Sequence, residues 1–470
     1  MPKKRIILLI LCALLSIQGC ATFDGLAVRR DDATRFLSDM ETRTAAALEE
    51  HTLLSLDTCI DIALENNHDI KTAELEQRLA KLNRRVAFAN FLPEVTFEYT
   101  YTELDRAPAT ALFGSLETTM QDRIVRDTAM QAQMPIFAPA TWFLYALHRR
   151  GEELSHIAAD YTRQMIALQV TGLYFQCLAT EAVQEMLQAQ RNAAVTLAHE
   201  IEAYHAEGLV TDADLAEVRV LVIARENALE MNKRTRQLNY AELLSAMGLA
   251  PTASVELDAA PDIAPPAGAL EDWMLTALLE HPRLGIADRL VAIEEEKARI
   301  AITEFLPALA GFASRSHSSN SFMAYPYVTA HGFAGVMSVF TGFANVNEYR
   351  AARVAQEQAF LAREQESLSV MLEVVRAHIG LSDGKDNVRL ANAAATAAET
   401  KMREEKAKMK EGLLRPSEML NIVARHNEAQ ANVINARYQK QVMTAIARNA
   451  LGATYFEESK EQEAEEDSNQ

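Results

Sequence analysis

Cys20 is the residue whose surroundings specify a covalent reaction. Lys3, Lys4 and Arg5 precede an apolar run from Ile6 to Leu15, and Ile17-Gln18-Gly19-Cys20 follows it. A run of that length is too short to cross a bilayer and suits the core of an export signal. Gly19 leaves the backbone open to a peptidase, after which the Cys20 thiol would carry a diacylglycerol and become the new N-terminus. Ala21 behind it goes with sorting to the outer membrane, where an aspartate would suggest retention in the inner one. That covalent lipid is the sole non-protein group expected, with no cofactor.

The other reactive side chains do not assemble. Asp214 stands six residues after Gly208, and Glu418 six after Gly412. Taken alone, each acid reads as a first-turn residue favoured by the helix dipole. Cys59 and Cys177 have no His or Cys at ligand spacing, so they form either a disulfide or, the favoured reading, two buried free thiols. The 11 histidines are scattered; His148, His156 and His426 read as helix-surface or seam residues. There is no phosphate-binding glycine loop, metal-spaced cluster or nucleophile elbow, so no enzyme is expected. A formal charge of −19 repels nucleic acid.

The elements that must position these residues come twice. Ala63-Leu64-Glu65-Asn66-Asn67-His68 leads to Phe91-Leu92-Pro93, and Ala277-Leu278-Leu279-Glu280-His281-Pro282 leads to Phe305-Leu306-Pro307, a constant offset of 214 (277 − 63 and 305 − 91). Glu207-Gly208-Leu209 recurs as Glu411-Gly412-Leu413, and Met247-Gly248 as Leu451-Gly452, both 204 apart (412 − 208 and 452 − 248). Units of this size are far longer than solenoid repeats. They bound a first repeat at 53–250 and a second at 269–453, joined by a proline-rich linker at 251–268. A signal at 1–19, a tether with a short helix at 20–52 and an acidic, solvated tail at 454–470 complete the plan.

Leu75, Leu79, Leu82 and Val86 fall at heptad-like spacing, as do Ile286, Leu290, Ile293 and Ile300. From Pro139 to Glu207, and again from Phe343 to Glu411, nearly 70 residues run without a break, about 100 Å as helix at the usual rise. Helices of that length need partners along their whole extent. Between the helices the period changes. Val95, Phe97, Tyr99 and Tyr101 alternate with Thr96, Glu98, Thr100 and Thr102, the pattern of a membrane β-strand with one lipid-facing side. Further strands are expected at Ile124–Met134, Ala308–Ser316 and Tyr327–Val339, giving membrane hairpins at about 94–135 and 308–339. The first hairpin has the longer outer loop, around Pro108–Asp122. Four strands cannot close a barrel, and open edges are not tolerated in lipid, so closure must come from further copies.

Taken in order, these residues resemble the TolC-like outer-membrane efflux protein family over roughly residues 53–452. The resemblance rests on the Cys59–Asn67 opening, Phe-Leu-Pro before each hairpin, Phe137 and Phe340 after each, and the doubled Gly-Leu. It implies a mainly α protein with a membrane β-barrel portion: a homotrimer whose four strands per protomer make one twelve-stranded barrel, continued by a long α-helical barrel. Such proteins are passive exit ducts for an inner-membrane pump joined by a periplasmic adaptor, here suiting a pump of the resistance-nodulation-division type. By resemblance, Gly208, Leu209, Gly412 and Leu413 form the periplasmic tip that meets the adaptor. Asp214 and Glu418 would then ring the pore aperture, with Arg415 as a pairing cation. The family's Asn-Pro is Asn67-His68 in the first half, and its Phe-x-Gly-Gly is altered after both hairpins, which bears on the strand-to-helix crossovers. Two alternatives stand beside this reading: a type I protein-secretion duct, and a periplasmic coiled-coil spacer without a channel.

Overall fold

The computed structural model describes residues 25–49, 53–112, 116–259, 261–411 and 416–452. The first repeat contains α2 (Leu56–Asn66), α3 (His68–Ala89), β1 (Glu94–Glu103), β2 (Ala109–Leu112), β3 (Leu116–Thr119), β4 (Ile124–Phe137), α4 (Pro139–Ala206) and α5 (Asp212–Ala246), preceded by α1 (Gly25–Leu48). The second contains α6 (Leu270–Glu280), α7 (Pro282–Thr303), β5 (Ala308–Ser318), β6 (Tyr327–Val336), α8 (Ala344–Lys410) and α9 (Pro416–Ala450). Helix α7 begins and ends 214 residues after α3, and α9 begins and ends 204 after α5, so the duplicated sequence folds as duplicated structure.

Equivalent positions even do the same local work with different chemistry. Asn67 caps α3 by accepting from the amides of Asp69 and Ile70 at 2.8 and 3.4 Å. His281 caps α7, its Nδ1 accepting from the Arg283 amide at 3.2 Å while Pro282 fills the first helical position. The proline lacks an amide where none is needed, which is why either dipeptide starts a helix.

Two compact units form, and they cut across the repeats. The first joins the chain up to Asn66 with Gly172–Pro261; the second joins Asn67–Thr171 with the chain from Asp262 onward. In the first unit, α2 buries Leu56, Cys59, Ile60 and Ala63. Leu54 pairs with Leu257 in a parallel bridge, its amide donating to the Glu256 carbonyl at 2.9 Å. The buried Tyr174 hydroxyl lies 2.8 Å from the Asp258 carbonyl and 3.2 Å from that of Leu54, pinning both strands of the bridge to α4. The later part of α4 is tied to α5 through Glu181, which accepts from Arg236 at 2.8 Å and from the Tyr240 hydroxyl at 2.6 Å.

Cys59 and Cys177 are free and buried, and burial pushes both thiols up to about 12. Glu181 adds to the effect at Cys177. The thiolate is the reacting species, so neither should be alkylated in the folded protein. Maleimide treatment at pH 7.5 is expected to leave both unmodified until denaturant is added; labelling of the native chain at either position, read by mass spectrometry, would refute this.

The second unit holds the sheet and a helical core. Trp273 and Ala277 of α6, Leu284 of α7, Val370, Val374, Ala377 and Leu381 of α8, and Ala447 and Ala450 of α9 pack as one buried cluster. The sheet is antiparallel in the order β1-β4-β5-β6, so the inner pair β4–β5 joins the two repeats. Its ladder runs from Asp127↔Ser318 to Phe137↔Leu309, with a register shift between Pro135 and Phe137. Pro135 cannot donate to a ladder, which accounts for an irregularity at that point. Both faces of β1 are exposed, with Phe97 at 73%. No layer covers the Val95-Phe97-Tyr99-Tyr101 side.

Some details differ from expectation. β6 stops at Val336 rather than Val339, because its partner β5 begins at Ala308, opposite Val336. β4 runs on to Phe137 because Leu309 still pairs there. The longer outer loop expected around Pro108–Asp122 contains the β2–β3 ribbon, whose four-residue strands are too short to show a period. α1 has 24 residues and is not a short helix. The linker at 251–268 contains no helix or strand among its described residues beyond the bridge at Leu257.

Candidate functional site

Turns between long antiparallel helices are where chemistry-bearing residues collect, because the ends of both helices leave backbone groups unpaired. The α4–α5 turn satisfies its own. Gly208 adopts φ +76°, and a side chain placed on it would meet nothing within 4 Å. Its amide donates to the His205 carbonyl at 2.9 Å, and that of Leu209 to Tyr204 at 2.9 Å, closing the helix end. Leu209 then stands 68% exposed at the tip of the turn.

Asp214 faces back into this turn. Its Oδ2 accepts from the Thr211 amide at 3.0 Å and from the Thr211 hydroxyl at 2.7 Å, while the Asp214 amide donates to Thr211 Oγ1 at 3.2 Å. This reciprocal capping box places the carboxylate at the positive end of α5. Asp212 adds a second acid in the same turn, 2.7 Å from His205 Nε2. Thr211 and His205 escaped the sequence reading, although Thr211-x-x-Asp214 is a legible capping pattern.

Gly208, Leu209 and Asp214 are thus brought together in one turn. Glu418 occupies the first turn of α9 and is exposed. The position matching Thr211 is Arg415 (211 + 204), a residue type without the hydroxyl that a Thr-type capping box uses, and α9 begins at Pro416. Gly412, Leu413 and Arg415 lie outside the described residues, as does Cys20. Among the described residues there is no group of His, Cys, Asp and Glu that could hold a metal, and no helix long and apolar enough to cross a membrane.

At the far end of the sheet, the loops of the two hairpins are joined. Asp122 accepts from the Ser321 amide at 2.5 Å and from its hydroxyl at 2.9 Å, and donates its own amide to Asn320 Oδ1 at 3.1 Å. The Arg126 amide reaches Ser319 Oγ at 2.8 Å. Nothing in the sequence pairs these positions, which lie nearly 200 residues apart.

Long paired helices, a doubled architecture and an uncovered antiparallel sheet with one apolar face define the class: the helical-duct outer-membrane proteins. The sequence profile described as outer membrane efflux protein matches residues 59–249 and 273–453, one match per repeat. The chain belongs to the outer membrane efflux protein family and is an outer-membrane protein. It is 27% identical over 203 residues to the pyoverdine export outer membrane protein OpmQ of Pseudomonas putida, a match spanning 41% of this chain and 42% of that one. Its fold is that of the outer membrane protein VceC from Vibrio cholerae, with TM-score 0.74 and 16% identity over 85% of this chain and 96% of that one. The Campylobacter jejuni CmeC outer membrane channel is equally similar, with TM-score 0.74 and 15% identity over 87% and 89% of the two chains.

Proposed function

We propose that this chain is the exit duct of a tripartite efflux system. Three copies would close a twelve-stranded barrel in the outer membrane, and their helices would line a passive conduit through the periplasm. The observation that carries this is the sheet itself. Four strands with free edges at β1 and β6, exposed on both faces, cannot persist in lipid unless other copies pair with those edges. A periplasmic spacer has no use for an apolar sheet face of this kind.

The same reading assigns Cys20 as the lipid-bearing residue and the helix turns as the adaptor contact. Gly208 suits that contact because an approaching backbone meets no side chain there. The motive force would come from an inner-membrane pump, of the resistance-nodulation-division type toward which the lipidation signal at Cys20 points. Efflux is favoured over type I protein secretion by the lipidation signal.

Asp214 and Glu418 then form carboxylate rings at the aperture, one of each per copy. Reconstituted protein should give discrete, cation-preferring conductance in planar bilayers and run as a trimer in detergent. Asp214→Asn with Glu418→Gln removes the charges while keeping acceptors for the Thr211 cap. This pair is expected to raise single-channel conductance and move the reversal potential in a salt gradient toward zero. Unchanged conductance and selectivity would remove the two acids from the aperture; absence of any conductance or trimer would sink the duct.

A further inference from the structure

Inside the chain, the first repeat mates with the second along one helical seam. Glu153 of α4 lies 2.9 Å from Arg289 of α7. One turn along, a Cβ on Gly285 of α7 would sit 3.5 Å from the Ile157 side chain of α4. One turn further, the rings of Tyr161 and His281 are 6.3 Å apart. The helices run antiparallel, with 153, 157 and 161 facing 289, 285 and 281.

The duplication carries these positions onto two other helices. The end of α8 follows that of α4 by 204 residues (410 − 206), and α7 follows α3 by 214 (282 − 68). Glu153 and Ile157 therefore become Glu357 and Leu361 of α8, while Arg289 and Gly285 become Leu75 and Lys71 of α3. Burial distinguishes the two sets. Glu296 is buried and Ile157 and Ile293 are half-buried, whereas their counterparts Leu82, Leu361 and Leu79 are exposed. Leu361 is 65% open and Leu75 60%, so apolar side chains on α8 and along the Leu75–Leu79–Leu82 stripe of α3 stand exposed among the described residues.

We infer that α8 of one copy seats against α3 of the next in the register of the internal seam, with Leu361 facing Lys71 and Glu357 facing Leu75 of the neighbouring copy. The sheet supports the same occupant. β4 pairs with β5 where the repeats meet inside the chain, and the corresponding strands, β6 and β1, are the two free edges. An α8–α3 contact is head-to-tail, which generates a closed ring when the rotation closes. The inference rests on the ring reading above and adds its residue register.

Oxidative cross-linking of the full-length protein in outer-membrane preparations tests it. Lys71→Cys with Leu361→Cys is expected to deplete the monomer band and produce reducible dimers and trimers, while either single variant does not. Lys71→Cys with Leu368→Cys displaces one partner by two turns and is expected to stay monomeric in denaturing gels. A trimer, confirmed by native mass measurement, that yields no bond at 71–361 would overturn this register and leave the ring intact. Equal cross-linking of the 71–368 pair would overturn it as well. A protein that is monomeric by mass would overturn the register and the duct together.

Discussion

Gly452→Ala is expected to lower stability by about 3 kcal/mol, whereas Gly208→Ala should cost about 1 kcal/mol, although both glycines close a helix in the same conformation. Their φ angles are +79° and +76°. A left-handed residue with a Cβ is strained by roughly 1–2 kcal/mol wherever it sits. The difference lies in the surroundings. A Cβ on Gly452 would sit 3.0 Å from the Glu280 carbonyl carbon and oxygen and from His281 Cα, all backbone atoms where α6 passes into α7. Backbone cannot swing aside as a flexible side-chain tip can, so the helices must separate, an overpacking cost of about 1–3 kcal/mol. At Gly208 there is open space. Heat-induced loss of the oligomer, followed by gel mobility, should show a large drop for Gly452→Ala and a small one for Gly208→Ala. Equal midpoints for the two variants would show that conformation alone, and not close approach, fixes the glycine at 452.

Trp273→Ala is expected to be at least as damaging, about 3–5 kcal/mol, the usual range for removing a large aromatic from a core. Trp273 is 3% exposed at the centre of the cluster built from α6, α7, α8 and α9. Its indole meets the His378 ring edge-on at 5.1 Å, and its Nε1 donates to the Ala267 carbonyl at 2.9 Å. The truncation therefore opens a cavity and also leaves a carbonyl without its donor. Trp273→Phe separates the two effects. It keeps most of the ring volume and loses the hydrogen bond, so a loss of about 1 kcal/mol is expected. Folded-protein yield and thermal midpoint of both variants provide the check. If Trp273→Phe proved as harmful as Trp273→Ala, the hydrogen bond and not the packing would dominate at this position.

Much of the architecture could be read residue by residue. The period-2 stretch at Val95–Thr102 became β1 because alternation on an extended chain needs no knowledge of distant contacts. The unbroken runs became α4 and α8, of 68 and 67 residues, since little in them interrupts a helix. Leu75, Leu79, Leu82 and Val86 form a stripe at heptad-like spacing on α3, yet all four stand exposed among the described residues. Asp214, read by itself as a first-turn acid, does occupy the first turn of α5, in a capping box with Thr211.

Pairings between distant segments escaped the sequence reading. Asp122 with Ser321, Glu153 with Arg289, and Tyr174 with the carbonyls of Leu54 and Asp258 join positions that no local pattern connects. The same holds for the compact units, which cut across the repeats.

By itself, the sequence determined the duplication, the lengths of α4 and α8 and the alternation of the first hairpin strand. Each of these depends on period, composition or interactions within a few residues. Only the tertiary structure decided that the repeats join through β4 and β5, that α4 meets α7 in one register, and that the Leu75–Val86 stripe of α3 and Leu361 of α8 are left exposed. Those outcomes depend on which apolar faces are buried first by the rest of the same chain, and a linear pattern shows that a face is apolar without showing what covers it.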